Sequence, residues 1–177
     1  MRKQIAVIGS ADLQYVGDIQ LQLKELGRSL ADNGCTVLAG SCGGVGNIVA
    51  QTVLECGGNT IAVSPCASRE EHIQRFGDES QCFSSFIFAG SGFKARNVLL
   101  VQSADAVIAI CGQIGTLNEL TIAYDLRKPI GLLRNSGGVT DRIESIITEL
   151  GVEKGTPIIG LQAPNELVKE LLLKLSK

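Results

Sequence analysis

Glu119 and Arg96 are the residues of this 177-residue chain whose types and surroundings could do chemistry. Glu119 closes the run Cys111-Gly112-Gln113-Ile114-Gly115-Thr116-Leu117-Asn118-Glu119. A carboxylate at the start of a helix can cap it or offer its free lone pairs to a ligand or a proton. Arg96 falls in Gly92-Phe93-Lys94-Ala95-Arg96-Asn97, where a helix should begin. A cation there opposes the helix dipole unless an anion sits nearby, so Arg96 is either a solvated or ion-paired side chain or half of an anion site.

The elements that must position these residues follow from the pattern around them. Ala106 to Ile110 is a short apolar run bounded by Asp105 and Gly112, which predicts a strand buried on both faces. Gly112 and Gly115 permit a tight reversal. Thr116 and Glu119 have the spacing of a capping box for the helix that follows. A strand that turns through glycines into a helix leaves backbone N–H groups at the positive end of the dipole, a setting that binds phosphate. Gly40-Ser41-Cys42-Gly43-Gly44-Val45-Gly46-Asn47 repeats this strand, glycine turn and helix. The candidate phosphate contacts are therefore Gly43, Gly44, Gly46, Gly112, Gln113, Gly115 and Thr116. Gly9 and Ser10 in the first turn join them, with Arg96, Asn97 and Glu119.

Strands are expected at Gln4–Gly9, Cys35–Ala39, Asn59–Val63, Phe83–Phe88, Ala106–Ile110, Pro129–Leu133 and Pro157–Leu161. Helices are expected at 18–33, 45–56, 93–103, from the Gly112 turn to Arg127, at 139–150 and from Pro164 onward. Part of the polar stretch 64–81 is expected to be a short helix. Strands alternating with helices throughout predict an α/β fold: a Rossmann-like, doubly wound parallel sheet in three α/β/α layers, as one domain over residues 1–177. Ligands of such sheets bind beyond the carboxyl ends of the strands, where every glycine loop above falls. The dinucleotide pattern G-x-G-x-x-G is absent after the first strand, where Gly9 is followed by Ser10, Ala11, Asp12 and Leu13, so an NAD-type site is not expected.

Composition narrows the partners. Apolar residues make up 45% of the chain and charged residues 19%, enough for a sizeable core. A net charge of −2 argues against nucleic-acid binding, which needs a basic stripe. No apolar run is long enough to span a membrane. The six cysteines contain no Cys-x-x-Cys pair, and with a single histidine no metal site is expected. They read as reduced thiols of a cytoplasmic protein. Cys35 and Cys56 occupy core positions, while Cys42 and Cys111 lie in the glycine loops, where packing as small residues is favoured over contact with a ligand. His72 is expected at the surface. All five phenylalanines fall between 76 and 93, which burial in a core cluster or a subunit interface explains more economically than base stacking.

The motifs resemble those of the Lonely Guy (LOG) family, long labelled possible lysine decarboxylases, and of the related molybdenum cofactor carrier proteins. The family's P-G-G-x-G-T-x-x-E motif falls on Cys111 to Glu119, its G-G-x-x-G segment resembles the shorter Gly43-Gly44-Val45-Gly46, and its G-M-x-x-R-K pattern falls on Gly92 to Asn97. Cys111, Gln113, Phe93 and Asn97 depart from it, and the Arg-Asn pair is more like the carrier branch. The resemblance implies a protein that binds a phosphorylated, nucleotide-like small molecule, with molybdenum cofactor or a nucleoside monophosphate as the bound group and no further cofactor required. It implies alternatively a phosphoribohydrolase that cleaves the N-glycosidic bond of a nucleoside 5′-monophosphate, with Glu119 and Arg96 as catalytic residues. Lysine decarboxylation is not expected. A homodimer or larger homo-oligomer is implied.

Overall fold

The structure is a computed structural model that describes residues 2–12, 14, 19–151 and 155–175. Its centre is a parallel sheet of seven strands: β1 (Gln4–Gly9), β2 (Thr36–Ala39), β3 (Asn59–Ser64), β4 (Ser85–Phe88), β5 (Ala106–Ile110), β6 (Ile130–Leu133) and β7 (Ile158–Leu161). The strand order is β4-β3-β2-β1-β5-β6-β7. The chain winds outward from β1 to β4, then returns to place β5 on the other side of β1, with Ile5 beside Ala106 and Gly9 beside Ile110. That reversal opens a crevice between the loops after β1 and β5, the place where doubly wound sheets bind ligands.

Seven helices complete the fold: α1 (Gln20–Asp32), α2 (Gly44–Glu55), α3 (Arg69–Phe76), α4 (Gly92–Gln102), α5 (Ile114–Asp125), α6 (Ile143–Glu149) and α7 (Pro164–Lys174). Alternate residues of β1 serve opposite layers, as the two-residue period of a strand requires. Ile5 and Val7 pack with Leu23, Leu26 and Leu30 of α1, Val49 of α2 and Leu167 of α7. Ala6 and Ile8 pack with Leu100 of α4, Leu120 of α5 and Ile143 of α6. The expected α/β sandwich is therefore the observed one. The expected start of the first helix at Asp18 lies outside the described residues.

Several expectations need correction. Thr116 and Glu119 do not form a capping box: α5 begins at Ile114, and its cap position, Gln113, makes no side-chain cap bond. Cys111 and Gly112 both take positive φ (48° and 89°) and turn the chain into the helix three residues early. That places Thr116 inside the first turn and Glu119 in the helix body. Ser68 is the residue that does cap in this manner, accepting from Glu71 N at 3.2 Å while Glu71 Oε2 accepts from Ala67 N at 2.8 Å. The Ser-x-x-Glu spacing of α3 was legible in the sequence. His72 is buried rather than at the surface, because α3 turns it inward against Phe76, Phe86 and Phe88. Cys56 is exposed, since it caps the C-terminus of α2. The helix expected at 139–150 is shorter, Ile143–Glu149; residues 139 and 140 instead bond to the loop after β5.

Candidate functional site

The carboxyl ends of β1, β2 and β5 and the first turns of α2, α4 and α5 surround a cleft of about 440 Å³. Each wall has a local cause. Gly43 (φ 92°) and Gly44 (φ 64°) swing the chain from β2 into α2. A side chain on Gly44 would strike the Ser10 carbonyl, the same carbonyl that accepts from Val45 N at 3.0 Å. The turns after β1 and β2 are thus fastened together backbone to backbone. Gly112 makes the equivalent approach to the Thr116 side chain.

The β5 loop has a second support, from the loop after β6. Cys111 N donates to Ser136 Oγ at 2.8 Å, Thr140 Oγ1 donates to the Cys111 carbonyl at 2.7 Å, and Val139 N donates to the Gly112 carbonyl at 2.9 Å. Gly138 (φ 63°) lies so close that a Cβ there would meet Gly112 backbone. The loop after β6 therefore holds Cys111 in its left-handed conformation, which a non-glycine residue adopts only when its surroundings fix it. The cluster Asn135-Ser136-Gly137-Gly138 was its only sequence signal.

Gly9, Ser10, Gly43, Gly46, Arg96, Asn97, Gln113, Gly115, Thr116 and Glu119 all line the cleft. Gly44 and Gly112 do not; they are the backbone pivots just described. Gly40 and Phe93 line it as well and were not among the expected contacts, and Cys42, for which packing was favoured over ligand contact, lines it too. Arg96 is buried, its Nη1 3.9 Å from Glu119 Oε1. The guanidinium lies so near the Gly40 backbone that a Cβ there would overlap it. Its Nε has no hydrogen-bond partner. Asn97, with its amide nitrogen turned to the acceptors around it, donates to Glu119 Oε1 at 3.2 Å and to the Phe93 carbonyl at 3.0 Å.

The electrostatics follow from burial. Removal from water pushes the Glu119 carboxyl up to about 7, with Arg96 and Lys94 opposing, so it keeps its proton to higher pH than an ordinary carboxyl. Burial likewise raises the Cys42 thiol to about 11 and the Cys111 thiol above its usual value. Both are neutral thiols at physiological pH and poor nucleophiles. Among the described residues no group of His, Cys, Asp and Glu could hold a metal ion. No described helix is long and apolar enough to cross a membrane.

A parallel sheet with its topological switch at β1 and β5, glycine turns at that switch and a buried arginine between them define a Rossmann-like α/β fold with a cleft at the switch point. The chain belongs to the SLOG cluster4 family, which matches residues 2–168. It is similar to the X-ray structure of the structural-genomics target TM1055, with 31% identity, 97% of this chain and 99% of that chain covered, and a TM-score of 0.85. It is similar to the molybdenum cofactor binding protein of the phototrophic bacterium Rippkaea orientalis, at 26% identity over 100% of this chain and 99% of that one, with a TM-score of 0.78. The molybdenum cofactor carrier protein of Chlamydomonas reinhardtii shares the fold, at 24% identity and a TM-score of 0.77, covering 98% of this chain and 99% of that one.

Proposed function

We propose that this chain binds a phosphorylated, nucleotide-like small molecule in the cleft, in the manner of a molybdenum cofactor carrier. The observation that carries this reading is the buried Arg96 set among glycine turns, its Nε unpartnered and its one carboxylate neighbour pushed up to about 7 by burial. A desolvated guanidinium with open donors, facing helix N-termini, is complementary to a phosphate or pyrophosphate. The cleft volume, about 440 Å³, is that of a small-molecule site. Gly9, Ser10, Gly43, Gly46, Gly115 and Thr116 would hold the phosphate through backbone and hydroxyl donors. The similarity to the Rippkaea orientalis protein supports a phosphorylated pterin as the cargo. We place the protein in the cytoplasm, as a single domain in a homodimer or larger homo-oligomer.

Calorimetric titration tests this. AMP binds and adenosine does not, and Arg96→Ala weakens AMP about tenfold or more, as loss of a charge-assisted hydrogen bond requires. Unchanged affinity in Arg96→Ala removes the arginine from the site. Absorbance and metal analysis of the protein as isolated identify a retained pterin.

One observation favours a second reading, LOG-type hydrolysis of nucleoside 5′-monophosphates. Glu119 lies in the cleft with its carboxyl near 7, suited to exchange a proton or to stabilise oxocarbenium character while a base departs. Release of adenine and ribose 5-phosphate from AMP, abolished in Glu119→Gln, would establish it. Intact AMP together with a retained pterin would end it.

A further inference from the structure

A second cavity, of about 360 Å³, is lined by residues of α3, of β4 and of the connection between them. It opens at the β4 edge of the sheet and shares no lining residue with the cleft. Its inner wall is aromatic, made by Phe83, Phe86, Phe88 and the imidazole of His72. Phe86 and Phe88 lie nearly parallel, at 16° with centroids 5.8 Å apart, and Phe83 meets Phe86 at 72°. Arg69 and Asp78 stand at the exposed mouth and pair with each other at 3.8 Å.

His72 is 1% exposed, and its Nε2 has no hydrogen-bond partner. The other ring nitrogen is taken, since Nδ1 lies 2.9 Å from Ser64 Oγ. Ser64 Oγ accepts from Cys66 N at 3.1 Å, which leaves its own proton to donate to Nδ1. Burial pulls the imidazole below its usual value, with Glu79 and Asp78 opposing, and holds it neutral. A neutral ring that accepts at Nδ1 carries its hydrogen on Nε2. The fold thus leaves a buried N–H donor unmatched in an aromatic cavity, a state that folded proteins seldom leave without a partner. Aromatic walls take a flat ring by stacking or edge contact, and the volume falls in the range of small-molecule sites. The two charges at the mouth answer each other, so nothing there asks for a charged ligand. We propose that this cavity is a second ligand site, separate from the cleft, for a small uncharged aromatic molecule whose carbonyl or comparable acceptor receives the His72 Nε2 hydrogen. Nothing in this site depends on what the cleft binds.

His72 is the single histidine of the chain, so NMR of the isotope-labelled full chain reads its ring nitrogens without ambiguity. In the free protein near neutral pH, Nε2 is protonated and Nδ1 is bare. Benzamide shifts Nε2 saturably. By calorimetry it binds severalfold more tightly than toluene, which fits the rings but offers no acceptor; one hydrogen bond is worth up to about tenfold. Benzoate, whose charge must be desolvated beside Asp78, binds more weakly than benzamide. His72→Phe keeps the aromatic wall and binds benzamide and toluene alike. Ser85→Trp, at an exposed position of β4 in the lining, fills the mouth and abolishes both, whereas Arg96→Ala changes neither. A free ring protonated on Nδ1, no saturable shift with benzamide, a preference for benzamide that survives His72→Phe, or binding lost in Arg96→Ala each overturns the site. Should His72→Phe fail to fold, Ser85→Trp decides, since unchanged benzamide binding there puts the ligand elsewhere. His72 signals that move with protein concentration also overturn it, by placing a second copy of the chain over the cavity.

Discussion

Arg96 and Glu119 face each other at 3.9 Å from neighbouring helices, both buried, and the carboxyl is nonetheless pushed up to about 7. Desolvation outweighs the attraction of a cation that close. Burial thus favours the protonated carboxyl, which weakens the pair as an ion pair and leaves the guanidinium less fully compensated.

That relationship predicts a pH dependence with a definite sign. A carboxyl whose folded value lies above its ordinary 4.5 binds more protons folded than unfolded. Its contribution to stability is present at low pH and is lost as pH rises through about 7. The melting temperature of Glu119→Gln relative to wild type should therefore climb between about pH 5 and about pH 8. Sulfate, whose charge is constant over that range, should bind wild type more weakly at the upper end and bind Glu119→Gln evenly. A flat difference in both measurements would show that Glu119 stays ionised throughout.

Gly40→Ala tests whether Arg96 is held where the anion needs it. A Cβ at Gly40 would overlap the guanidinium, and Arg96 must move while the backbone stays. Anion affinity should fall about tenfold, the value of a charge-assisted hydrogen bond, with circular dichroism unchanged. Wild-type affinity in this variant would mean that the guanidinium position does not matter.

Two glycines of the cleft should separate by what surrounds them. Gly44 has φ 64° and would drive a Cβ into the Ser10 carbonyl, so Gly44→Ala should lose about 2 kcal/mol or more through strain and displaced backbone. Gly115 sits in α5 with nothing within 4 Å of a Cβ. Gly115→Ala should be neutral or gain up to about 1 kcal/mol from helix propensity, while weakening anion binding by covering an N–H. Denaturant melts and titrations of the two variants would check the contrast.

His72 should act in the opposite pH direction from Glu119. Burial pulls its imidazole below the usual value, with Glu79 and Asp78 opposing. It is held neutral beside Ser64, whose Oγ lies 2.9 Å from Nδ1. A depressed histidine contributes stability above its unfolded value that is lost as pH falls. Wild type should therefore lose melting temperature faster than His72→Phe between about pH 7 and about pH 5. Parallel curves would show that the ring titrates normally.

The sequence by itself determined the order and kind of the elements. Buried parallel strands are short apolar runs and glycines mark their ends, as at Ala106 to Ile110 and Gly112, and these signals depend only on neighbours in the chain. It also singled out Arg96, because a cation in the first turns of a helix is locally unfavourable and needs a reason elsewhere. The tertiary structure decided what depends on distant partners. The turn at Cys111 and Gly112 is set by Ser136, Gly138 and Thr140, so α5 starts at Ile114 and Glu119 is freed from the helix end to face Arg96. His72 is buried because α3 packs it against phenylalanines from β4. No local pattern encodes these approaches, since each joins residues whose separation along the chain says nothing of their separation in space.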